Sequence, residues 1–134
     1  MKTLGLELND ARLNSVDIAG GTCRITFRPA YLHELDVESG DTVGPCMEVD
    51  VEFIFDCGAI EGALGDLPAS ILRCSLDVAA ETMPRLIPVP FNSATTVALK
   101  LLMWPDYREI IISANAITIR LDRGPHADKS THSS

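Results

Sequence analysis

Polar and apolar residues alternate along the stretch from Cys46 to Cys57, CMEVDVEFIFDC, apart from Ile54. Met47, Val49, Val51, Phe53 and Phe55 share one face at a period of two, and Glu48, Asp50 and Glu52 share the other. That period belongs to a strand with one side on a core and one side in water. A helix would scatter the same residues around its circumference. The pattern predicts the central strand of an antiparallel all-β domain, with an acidic outer face.

The same period recurs along the chain. Leu4, Leu6 and Glu7 suit a short edge strand. Val16 and Ile18 lead into Gly20-Gly21, which tolerate the positive φ of a tight hairpin. Cys23, Ile25 and Phe27 return inward, with Arg24, Thr26 and Arg28 outward. Paired with 47–55, this strand would set Arg24 and Arg28 against Glu48, Asp50 and Glu52. Pro29 to Gly44 reads as a long connection. A short strand fits 59–64. Ile71 to Val78 is expected to be a strand with Leu72, Cys74, Leu76 and Val78 in phase. Asp77 to Met83 holds Ala, Glu and Met before Pro84, which predicts one or two helical turns.

In LIPVPF, residues 86–91, Pro88 and Pro90 remove two N–H donors from one side of a strand. This is the mark of an edge strand protected against pairing with another chain. Val97, Leu99, Leu101 and Met103 then face inward, and Trp104 to Tyr107 form a turn. Leu102 and the run Ile110 to Ile112 place apolar residues on both strand faces, so a homodimer would cover the outer ones. Ile117, Ile119 and Leu121 close the domain. The expected fold is an antiparallel sandwich, jelly-roll-like, or a flattened barrel. It has about seven to nine short strands and at most one short helix. Residues 1–122 form the single domain and 123–134 a disordered tail.

Composition narrows the classes. The chain has 134 residues and 46% apolar content, enough for one core. No apolar run reaches the ~20 residues of a membrane-spanning helix, and the N-terminus turns polar too early for a secretory signal, so a cytoplasmic protein is expected. The four cysteines lack C-x-x-C spacing, and the strand phases put Cys23, Cys57 and Cys74 inward as small apolar groups. The net charge is −8. Between Pro29 and Leu72 there is no Lys or Arg at all, while acids run from Glu34 to Asp66. Such a segment excludes a phosphate-backbone partner, so no nucleic acid is expected. It suits a solvated face, a cation or a basic protein surface.

Two regions gather functional groups. The first is Tyr31, His33, Glu34 and Asp36, within the acidic loop 31–41. Here a ligand or divalent metal could sit, although no EF-hand spacing is present. Surface or structural roles are the plainer reading of a lone histidine. The second is Trp104, Tyr107 and Arg108 at a turn, either an interface anchor or a cap over the sheet end. Glu48, Asp50 and Glu52 are a further candidate partner surface.

The opening NDARLNSVDIAGGTCRITFRPAYLHE, the LIPVPF segment and the closing EIIISANAITIRL together resemble a group of small bacterial all-β proteins of uncharacterised function. The matching residues are Phe27 to His33 and Leu86 to Phe91, and the likeness spans roughly residues 9 to 122. It implies a shared scaffold and no activity.

Three functions compete on these grounds. The first is a small acidic interaction or structural module without catalysis or cofactors, binding a protein partner or a second copy. The second is a ligand or metal site at 31–41. The third is an acid/base enzyme using His33 with Glu34 or Asp36, for which no G-x-S-x-G, H-E-x-x-H, P-loop or dinucleotide fingerprint exists.

Overall fold

The structure is a computed structural model that describes residues 2–36, 38–39, 41–105 and 107–123. The expected tail, 123–134, lies outside the described residues apart from its first position.

The described residues form strands and no helix. In chain order they are β1 (Lys2–Glu7), β2 (Arg12–Ala19), β3 (Thr22–Asp36), β4 (Thr42–Asp56), β5 (Ala59–Glu61) and β6 (Ala69–Val78), followed by β7 (Glu81–Thr82), β8 (Ile87–Pro88), β9 (Phe91–Ser93), β10 (Val97–Trp104), β11 (Arg108–Ala114) and β12 (Ala116–Arg123). Eight of them run to six residues or more, and β5, β7, β8 and β9 are fragments of two or three. The long strands thus match the expected number, and the fragments raise the total to twelve.

All pairs are antiparallel, in the order β5-β11-β10-β6-β2-β3-β4-β12-β9. The path is open, so this is no closed barrel. Between β2 and β6 only Arg12↔Ser70 and Leu13↔Ala69 pair, and the sheet folds over at this narrow joint. Phe27, Phe53 and Phe55 from one side then share a single buried cluster with Leu99, Leu101, Ile110 and Ile112 from the other. Phe27 meets Phe53 edge-on, with centroids 5.2 Å apart. The result is sandwich-like.

The first hairpin forms as expected, with Gly20 and Gly21 at φ +60° and +80°. The inward positions of β10 are buried as the alternation requires. β8 also behaves as a proline-marked edge. Leu6 pairs Ile87 and the Val89 N–H donates to the Leu4 carbonyl at 3.2 Å, so Pro88 and Pro90 turn their missing donors outward.

Several expectations need correction. Residues 29–36 are no loop: they extend β3 to Asp36, and β4 already begins at Thr42. Ala30 and Leu32 are buried there, an alternation that Pro29 and the surrounding polar residues obscure. β1 is not an edge, because it lies between β3 and β8. The helix at 77–83 is absent. Ala79 and Ala80, at φ +53° and +67°, make a two-residue turn that pairs Val78 with Glu81. In β6, a bulge at Leu72 shifts the phase, so Ile71 faces in and Leu72 faces out. Cys57 is exposed at the end of β4, where its φ of +57° turns the chain out of the strand. Finally, Asp50 and Glu52 do not meet water: they are 2% and 1% exposed.

Candidate functional site

The buried carboxylates come first, because burying charge demands partners. Glu52 pairs with Thr26 on β3 and with Arg120 on β12. Arg120 Nε donates to Glu52 Oε1 at 2.7 Å, and Arg24 Nε donates to Oε2. Next along the ladder, Arg28 lies 3.8 Å from Asp50 and donates to Asp122 at 2.7 Å. The cross-strand pairing expected for Arg24 and Arg28 is present. Sequence reasoning missed Arg120 and Asp122, which arrive from β12. With arginines laid over them, Asp50 and Glu52 offer no open acidic surface, and Glu48 lies further along β4, opposite Tyr31.

The group at 31–36 is split by the strand. Tyr31 and His33 project to one face of β3 and Glu34 and Asp36 to the other. His33 meets a residue that sequence reasoning overlooked: its Nε2 lies 2.8 Å from Glu7 Oε1. Arg85 Nη1 donates to the second Glu7 oxygen at 2.6 Å. Both oxygens of Glu7 are therefore engaged in tying β1 to β3 and to the segment before β8. Burial, then the nearby Glu48 carboxylate, pushes the Tyr31 phenol above its ordinary value. Asp36 closes the turn: its Oδ1 accepts from the Glu38 N–H at 2.9 Å, and its own N–H donates to the Asp41 carbonyl. Among the described residues, no group of three or more His, Cys, Asp or Glu side chains could hold a metal ion.

The aromatic turn has a different character. Trp104 and Tyr107 are 50% and 63% exposed, with rings edge-to-face at 6.2 Å. Arg108 leaves them and packs its guanidinium over Gly65. A cleft of about 410 Å³ separates the parts, lined by Asp66, Pro68, Ser70, Trp104 and Arg108.

Trp104 is the last outward residue of β10, after Ala98, Lys100 and Leu102. The ladders place Arg73, Leu102 and Glu109 in one row across the sheet. The next row is Ser75, Lys100, Ile111 and Glu61, and the third is Asp77, Ala98, Ser113 and Ala59. Leu72, 37% exposed, joins the first row through its bulge. Three of the four exposed large apolar side chains among the described residues, Leu72, Trp104 and Tyr107, thus gather at one end of the β6-β10-β11-β5 outer face, with Leu102 half-buried among them. Ile18 stands apart on the first hairpin. The opposite end of the face is hollow. A depression of about 540 Å³ is lined there by small residues, among them Ala59, Ala80, Ala98 and Ser113, with Asp77 at its side.

No family model, curated protein or solved structure matches this chain. Among the described residues, no helix is long and apolar enough to cross a membrane.

Proposed function

We propose that this protein is a small interaction module that docks a protein surface on the outer face of β6-β10-β11-β5, with no catalytic step of its own. The observation that carries this reading is the gathering of Leu72, Trp104 and Tyr107 at one end of that face. Contiguous apolar surface in water is costly, and on soluble proteins it marks contact sites. Trp and Tyr are also the side chains that anchor interfaces most often. The other candidate surfaces fit the role less well. The Asp50 and Glu52 carboxylates are covered by arginines, and His33 is held by Glu7. A cytoplasmic setting suits four thiols that stand free.

The test is position-specific photo-crosslinking in cells. A photoreactive residue in place of Tyr107 should yield a defined protein adduct, and one in place of Asn92, on β9, should not. The Tyr107 adduct should vanish when Leu72→Asp is added. Equal labelling from both positions, or none from Tyr107, rejects the proposal.

A further inference from the structure

We infer that the occupant of this face is a second copy of the same chain, seated end for end so that the aromatic end of each copy fills the hollow end of the other. This rests on the docking face proposed above and names its partner.

The first argument is shape. Trp104 and Ala98 are both outward on β10, six residues apart, which is about 20 Å at the rise of a strand. One end projects Leu72, Trp104 and Tyr107, and the other is the depression floored by Ala59, Ala98 and Ser113. A two-fold axis lying in the interface, perpendicular to the strands and close to Lys100, exchanges the two ends. Each projecting end then meets a hollow, twice over, as an isologous contact requires.

Charge agrees with the same operation. Arg73 and Asp77 both lie on β6, one in the projecting row and one in the hollow row. The exchange brings Arg73 of each copy over Asp77 of the other. About the opposite operation, with the axis along the strands, the aromatic ends would collide and the hollows would stay empty. Two groups resist the arrangement: Lys100 and Glu61 share the row at the axis, and each faces its own counterpart. Removing Lys100 should tighten the dimer, a sign that no contact with a different partner would produce in the purified protein.

Size sets the strength. Four strands at ~4.8 Å spacing and about 20 Å of length give a footprint of roughly 400 Å² per copy. A standard interface uses about 800 Å² per partner, so this dimer belongs to the weak, concentration-dependent class.

The experiment is sedimentation velocity of the full chain from about 5 to 500 μM, a range suited to a weak interface. Circular dichroism melts confirm that each variant is folded. The parent should pass from monomer to dimer within the range. Trp104→Ala, which shortens the projection, and Ala98→Trp, which fills the hollow, should each weaken association about tenfold or more. Arg73→Asp should weaken it and the double variant Arg73→Asp/Asp77→Arg should recover it. Lys100→Ala should strengthen it severalfold.

A parent that stays monomeric at the highest concentration overturns the inference. So does a dimer indifferent to both Trp104→Ala and Ala98→Trp. Either result leaves the docking face itself to the crosslinking test: a Tyr107 adduct with a different protein keeps that face and rejects self-association, whereas no adduct rejects both.

Discussion

Arg120 stands directly opposite Glu52 across the β4–β12 ladder, its Nε 2.7 Å from a carboxylate that is 1% exposed. Arg24 holds the second oxygen from the other side. One buried charge is thus clamped by two arginines whose own side chains are about half in solvent.

Removing the clamped group should cost more than removing either clamp. Glu52→Gln leaves two guanidiniums facing a neutral amide in a desolvated site, and about 2–4 kcal/mol of stability should be lost. Arg24→Ala or Arg120→Ala keeps one partner in place and should cost about 1 kcal/mol, because the arginines are half-exposed and screened. Urea unfolding of the three variants checks the order. Equal losses would mean that the carboxylate does not depend on the clamp.

The Cys74 thiol is pushed up to about 11, by burial first and the Glu7 carboxylate second. In the unfolded chain the thiol ionises near its ordinary value of 9.0. The folded state therefore holds the proton more tightly. Its contribution is whole below about pH 9 and is lost as pH rises through about 11, a full change of ~3 kcal/mol. Unfolding measured at pH 8 and pH 10.5 should show a larger fall for the parent than for Cys74→Ala. Parallel curves would refute the assignment.

Two surface glycines should differ sharply when changed to alanine. A Cβ at Gly62, φ +104°, would run into the Glu109 backbone carbonyl. At Gly20, φ +60°, nothing lies within 4 Å. Gly62→Ala should therefore cost about 2–4 kcal/mol, from strain plus a clash that backbone cannot relieve. Gly20→Ala should cost only about 1 kcal/mol, the left-handed penalty alone. Thermal melts of the two variants separate clash from conformation, and a Gly62→Ala protein as stable as Gly20→Ala would contradict the loop's seating.

The turn at Ala79-Ala80 puts two alanines where Asn-Gly is preferred. Replacing the pair by Asn-Gly should raise stability by about 0.5–1 kcal/mol, since the relief of left-handed strain exceeds the added freedom of the unfolded chain. A drop in melting temperature would show that these residues do not form that turn.

Alternation made the fold legible where each strand keeps one phase, as in β10 and at residues 47–55. It failed where geometry is decided by a distant segment. The alanines at 79 and 80 favour helix locally, but pairing of β6 with β7 overrides that preference. The bulge at Leu72 inverts the face of half a strand, and no residue type announces it. Acids at 48–52 read as a wet face because the arginine that completes their cover is at position 120, on a strand whose place beside β4 no local pattern reveals. Glu7 was hidden for the same reason: its meeting with His33 exists only through the β1–β3 ladder. Leu102 and Ile111, by contrast, already signalled that the outer face of the second layer is partly apolar.

β3 and β4, fifteen residues each, run the length of the first layer of the sandwich. One length of β3 runs beside β2, and the other beside β1. No cut can part the β2 end of this layer from its β1 end without severing the hairpin common to both. Damage at one end of the layer is therefore felt at the other through a shared spine.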